Sequence, residues 1–166
     1  MGEGPLLLEP GAADAPSWMS LDDVVMGGRS SSRMERTAEG DALFHGRVIL
    51  EGGGFASVRT GVDWSHIPPS RGLLLKVLGD GRQYRLRLWM TPGMNQVAYQ
   101  SPFVAAAGEW SAVELPFSSF TPSFRGRDVP GAPPLVPERI VQVGLMVADR
   151  QGGPFRLLLR EIRALT

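Results

Sequence analysis

The chain has no cysteine. Disulfide staples, zinc thiolate sites and thiol nucleophiles are therefore excluded, and the composition suits a reducing compartment. It has almost no lysine. Lys76 is the only one, so the other 16 of its 17 basic residues are arginine. It has two histidines and no excess of either charge, with 17 basic against 17 acidic residues. A balanced chain has no electrostatic reason to bind nucleic acid non-specifically. No apolar run approaches the roughly 20 residues that span a bilayer. Leu6-Leu7-Leu8 is too short for a signal-peptide core and has no basic residue ahead of it. These absences lead to the expectation of a cytoplasmic protein without membrane insertion.

Glycine and proline are abundant, at 21 and 14 residues, and they cut the chain into pieces too short for helices. Most pieces alternate with a period of two, which is the pattern of a half-buried strand. Ser57 and Arg59 fall on one face of a strand, with Ala56 and Val58 on the other. Tyr84, Leu86 and Leu88 oppose Arg85, Arg87 and Trp89. Val113 and Leu115 oppose Glu114, and Leu158 and Ile162 oppose Leu157, Leu159 and Glu161. Leu73–Leu78 and Ile140–Val147 are apolar on both faces and read as central strands. Ala38-Glu39-Gly40-Asp41 can close a hairpin between Ser31–Thr37 and Ala42–Leu50. Gly52-Gly53-Gly54 and Gly79-Asp80-Gly81 mark further turns. Thr121–Pro137, with five prolines and two glycines, reads as a long ordered loop, and Ser20–Asp23 can start one short helical turn. Many short strands between turn signals indicate an all-β sandwich or barrel, formed here by a single domain over residues 1–166.

The search for chemistry yields little. His45 and His66 stand alone, without a second histidine at a ligand spacing. No serine sits in a nucleophile elbow. Gly27-Gly28-Arg29-Ser30 lacks the lysine of a phosphate loop, and Gly79-Asp80-Gly81 lacks the third glycine of a dinucleotide fingerprint. Asp22-Asp23 are adjacent, so on a strand they point to opposite faces and cannot share a proton. The expectation is that one caps a turn and the other pairs with an arginine. No catalytic residue, metal ligand or cofactor is assigned. The polar residues in glycine-rich or aromatic contexts form the candidate binding set: Asp22, Asp23, Arg29, Ser30, Arg59, Arg82, Tyr84, Gln100, Arg125 and Arg127. Arginine supplies forked donors and aspartate acceptors, as a protein partner or a sugar-like ligand requires. Trp18, Trp64, Trp89 and Trp110 are further candidates as stacking or anchoring surfaces, although core packing is the ordinary role of each.

Trp18-Met-Ser-Leu-Asp-Asp-Val-Val-Met-Gly-Gly-Arg-Ser30 resembles the opening signature of the complex I intermediate-associated protein 30 family. Glu51-Gly-Gly-Gly-Phe-Ala-Ser-Val-Arg59, Gly79-Asp-Gly-Arg-Gln-Tyr-Arg85, Trp110 to Phe120, Phe124-Arg-Gly-Arg127 and the tail from Gly144 follow in the family's order, so the resemblance runs from about Trp18 to Ile162. It implies a jelly roll like the galactose-binding domains. It also implies a non-catalytic binding or scaffold role, as in assembly factors for NADH:ubiquinone oxidoreductase. A carbohydrate- or small-ligand-binding jelly roll is the alternative. With no arginine-rich leader ahead of Trp18, a stand-alone member of bacterial type is expected. Val24 stands where the family usually has glycine, so the turn is either negative in φ there or differently shaped. The two glycine-rich turns can bring Arg29, Arg59, Arg82 and Asp22-Asp23 into one charge network, as a binding site or as a buried knot.

Overall fold

The structure is a computed structural model, and it describes residues 3–93 and 96–166. The strands in chain order are β1 (Glu3–Leu8), β2 (Met19–Ser20), β3 (Ser31–Arg36), β4 (Ala42–Val48), β5 (Ala56–Gly61), β6 (Gly72–Leu78) and β7 (Gln83–Trp89). They continue with β8 (Ala98–Val104), β9 (Trp110–Pro116), β10 (Thr121–Phe124), β11 (Arg127–Asp128), β12 (Gln142–Val147) and β13 (Gly153–Leu165). Single 3-10 turns at Asp23–Met26, Phe117–Ser119 and Pro137–Arg139 are the helical elements among the described residues. None is long and apolar enough to cross a membrane.

The strands form two antiparallel sheets in the jelly-roll manner. One has the order β3-β4-β13-β6-β9, with β1 also pairing with β13. The other has the order β11-β10-β8-β7-β12-β5-β2. The chain changes sheet repeatedly. The Gly52-Gly53-Gly54 turn carries it from β4 to β5, and the Gly79-Asp80-Gly81 turn from β6 to β7. Both turns use glycine at positive φ, which bulkier residues resist. Between the sheets, Phe44, Leu75, Val77, Phe155 and Leu157 meet Tyr84, Leu86, Leu88, Val143 and Leu145 in one cluster. Phe44, Tyr84 and Phe155 form an edge-to-face triad with centroids 4.9–6.4 Å apart.

The expected faces hold on β5 and β7. Val58, Leu86 and Leu88 are buried between the sheets, and Arg85 and Arg87 lie on the outer side. The two segments apolar on both faces became β6 and β12, each hydrogen-bonded on both edges. Three expectations change. β13 reverses its alternation at a bulge between Leu159 and Glu161, so Ile162 joins Leu157 and Leu159 in the core. Thr121–Pro137 is not all loop, because β10 and β11 form a hairpin at its start. β1, β2 and β8 were not anticipated from the pattern.

Leu145 is fully buried on β12, flanked by Val58 on β5 and Leu86 on β7. Leu145→Ala should cost about 2–5 kcal/mol through the cavity it leaves. A thermal melt should show a drop of about 10 °C.

Candidate functional site

The candidate residues separate into four places. The first is the loop after β2. Asp23 is fully buried at the start of the 3-10 turn. Its carboxylate accepts the Ser30 N–H at 2.8 Å, the Ser30 hydroxyl at 2.6 Å, the Gly54 N–H at 2.7 Å and the Phe55 N–H at 3.3 Å. The Ser30 hydroxyl in turn accepts the Ile49 N–H at 2.8 Å. Burial opposes ionisation of Asp23, but these donors outweigh it and hold the carboxyl below its usual range. Gly28 and Gly53 press on the carboxylate, since a Cβ on either would stand 2.4–2.5 Å from its atoms. Gly27 closes the turn at φ 86°, and Val24 sits inside the turn at negative φ, so a β-branched residue is tolerated there. Asp22 accepts from the Ser32 hydroxyl at 2.6 Å and the Ser57 N–H at 3.1 Å, and burial raises its pKa.

The second place is the β6–β7 crossover. Asp80, which the sequence reading passed over, accepts from the Tyr84 hydroxyl at 3.0 Å, the Arg156 N–H at 2.8 Å and Arg82 at 3.3 Å. Tyr84 is buried, and burial together with Asp80 pushes its phenol upward. Arg82 also donates to the Gly152 carbonyl at 3.0 Å. This cluster pins the crossover to β13.

The expected charge network is therefore a correction. Arg29 pairs with Glu51 at 3.5 Å in solvent, Arg82 with Asp80, and Arg59 with no aspartate. Neither Asp22 nor Asp23 pairs with an arginine among the described residues. Backbone N–H groups and serine hydroxyls satisfy both more cheaply than a desolvated guanidinium would. His45 lies 3.4 Å from Glu35, and His66 contacts the Leu6 carbonyl. Among the described residues no group of three or more histidines and carboxylates is placed to hold a metal ion.

The third place is the outer face of the seven-stranded sheet. Arg59 on β5 and Arg87 on β7 both face Gly144, in β12 between them. Two inter-strand steps put their Cα atoms about 10 Å apart. Trp89 fills the gap, with Arg59 stacked 4.1 Å and Arg87 5.2 Å from its ring centroid. The ring lies over Gly144, whose missing Cβ would stand 3.0 Å from it. Arg59 is 5% exposed and Trp89 2%. Among the described residues Arg59 donates to the Gly93 carbonyl, at 3.4 Å, and Arg87 to the Gln100 side-chain oxygen at 3.2 Å. Burial, then the charges of Arg59 and Arg85, push Arg87 down to about 10. Arg85 pairs with Asp149. Among the described residues neither Arg59 nor Arg87 meets a carboxylate.

The fourth place adjoins it. A cleft of about 290 Å³ is lined by Gln83, Arg85, Gln100, Thr121, Ser123 and Asp128, with Pro102 and Gly126. The β10–β11 turn, Arg125-Gly126, flanks it with both residues at positive φ. Arg125 stacks on Phe124 at 5.2 Å, and Arg127 is exposed on β11. The sequence reading found Gln100, Arg125 and Arg127 but not Arg85 and Arg87. Their alternation with Tyr84, Leu86 and Leu88 was the available signal. Of the tryptophans, Trp64 is in the core and Trp110 lies under Arg160 on the other sheet, at 3.9 Å.

Two substitutions test these assignments. Asp23→Asn sets an amide donor against N–H donors and should cost about 3 kcal/mol at neutral pH. The folded-state pKa of Asp23 is depressed, so its contribution is present above the unfolded value and lost as pH falls through the folded one. The difference in Tm between D23N and the parent should therefore shrink below about pH 4. Gly144→Ala should displace the Trp89 ring, cost about 1–3 kcal/mol, and shift the Trp89 indole N–H signal in an NMR spectrum.

Comparison with known proteins adds the lineage. The sequence profile described as complex I intermediate-associated protein 30 matches residues 10–159. The mitochondrial complex I intermediate-associated protein 30 of Drosophila melanogaster is 31% identical over 92% of this chain. An uncharacterised protein of Schizosaccharomyces pombe is 30% identical over 88% of this chain, and the match covers 76% of that protein. The chain spans 62% of the length of the Drosophila protein. In three dimensions it is similar to a family 11 carbohydrate-binding module of Clostridium thermocellum, solved with a mixed-linked tetrasaccharide. The TM-score is 0.69 at 18% identity, covering 99% of this chain and 95% of the module, which is a likeness of fold. By the extent of the profile match and the identity to its relatives, this chain belongs to the complex I intermediate-associated protein 30 family.

Proposed function

We propose that this chain is a non-catalytic binding domain that engages a protein partner through the outer face of the seven-stranded sheet, in assembly of complex I. The single observation that carries the reading is the arginine row Arg59–Arg87–Arg85 beside the cleft, where among the described residues the three arginines outnumber the carboxylates near them, Asp149 and Asp128. Natural proteins seldom bury unpaired cations without a use for them. Exposed apolar side chains add to the case. Met19, 51% exposed, neighbours Arg59 in register, and Val24 and Met26 on the following loop are 64% and 68% exposed. Exposed apolar side chains next to forked donors suit a protein partner. The family's name supports complex I as the setting.

Sugar binding is the second reading, favoured by the match to the carbohydrate-binding module. A neutral glucan needs an open aromatic ring to stack on. Here Tyr84 and Tyr99 point into the core, and guanidinium groups cover Trp89. That chemistry favours a protein partner.

A photo-reactive residue at Gln83, on the cleft, should cross-link to a complex I subunit or assembly intermediate in cells. The same residue at Glu114, on the outer face of the other sheet, should not. Capture only from Glu114, or no capture beside measurable glucan binding, would overturn the reading.

A further inference from the structure

The arginine row has a specificity consequence. On β5, β7 and the cleft stand three cations, Arg59, Arg87 and Arg85, and only Asp149 pairs with one of them among the described residues. Cation stacking on Trp89 offsets part of the desolvation. It does not neutralise the charge. Arg59 is buried and Arg87 half-buried, and among the described residues neither meets a counter-charge, so part of the cost of desolvating a site for an anion has already been met in folding.

The cleft gives an anion a place to sit. Its floor reaches the row at Arg85 and at Gln100, whose side-chain oxygen is occupied by Arg87 Nε. That bond fixes the orientation of the amide and leaves its two N–H groups as donors. Thr121 and Ser123 add hydroxyls on β10. Asp128, exposed on the opposite wall, is the one carboxylate among the lining residues, and Arg127 precedes it in β11. At about 290 Å³ the cleft takes a side-chain carboxylate or two, not a long chain.

We infer that the cleft and the Arg85–Arg87 edge of the row form a carboxylate-recognition site, and that its ligand is an acidic segment of the partner protein carrying Asp or Glu side chains. This rests on the reading of the same face as the partner surface. Arg85 holds Asp149 with its Nε and one terminal nitrogen, and Arg87 gives its Nε to Gln100, so the terminal N–H groups of Arg87 are the donors the site offers a carboxylate, with the charge of Arg59 on the far side of Trp89 adding to the field.

The test is an NMR titration of the full chain, following arginine Nε–Hε signals. The probes are a capped hexaglutamate peptide, hexaglutamine and inorganic phosphate. Hexaglutamate should shift Arg85 and Arg87 and leave the exposed Arg139 unmoved. Its affinity should fall about tenfold between about 20 and 200 mM salt. Arg87→Met and Arg85→Gln should each weaken it about tenfold, equivalent to about 1.4 kcal/mol, while Arg139→Met should not. Two variants at separate positions guard against one that misfolds. Absence of hexaglutamate shifts at Arg85 and Arg87, an equal response to hexaglutamine, or a response to phosphate alone would overturn the inference. The two readings fail separately. If Gln83 cross-linking is undiminished in Arg87→Met, the partner face stands and the carboxylate site falls. If Gln83 captures nothing in the parent chain, the partner face falls whatever hexaglutamate does.

Discussion

One buried carboxylate ties the two sheets together at an end of the sandwich. Asp23 takes the N–H of Ser30, which leads into β3 of the first sheet, and those of Gly54 and Phe55, which lead into β5 of the second. Through Ser30 it also holds Ile49, just past β4. Every group bonded to it is a donor, so the anion is satisfied without a cation. Gly28 and Gly53 are required because the carboxylate occupies the space their side chains would take. Gly28 and Gly53 are thus the complement of a single aspartate, while Gly27, Gly52 and Gly54 serve the turns by their positive φ.

Asp23 and the arginine row treat buried charge in opposite ways. Asp23 is saturated by donors, and its ionised form is favoured. Arg59 and Arg87 are desolvated, share one indole ring, and are both disfavoured as cations. The first arrangement holds the fold. The second costs stability on an outer sheet face that could have been covered with apolar residues, and the proposed binding role rests on that cost. Gly144 lets Trp89 lie flat, with the guanidinium groups of Arg59 and Arg87 stacked on its ring.

Much of this was legible in the chain, but unevenly. The alternation through Tyr84–Trp89 assigned each side chain to its face, because a strand's period is set by backbone geometry alone. The signature from Trp18 to Ser30 fixed the family. Less legible were the partners. Asp22 and Asp23 were expected beside Arg59, yet serine hydroxyls and backbone N–H groups reached them first. Asp80 drew no notice because the chain that it binds, at Arg156, lies 76 residues away. The bulge at Leu159–Glu161 reversed a face that strict alternation had assigned, and no local residue announces it.

By itself, then, the sequence determined the all-β class, the inward and outward faces of its central strands and the family. These follow from short-range periodicity and contiguous motifs, which the chain carries locally. Only the tertiary structure decided which charges meet. Arg59, Arg87 and Trp89 belong to strands that become neighbours through β12, a segment more than 50 residues further along. Their stacking depends on strand order and on the absence of a side chain at Gly144, and neither is written near the arginines themselves.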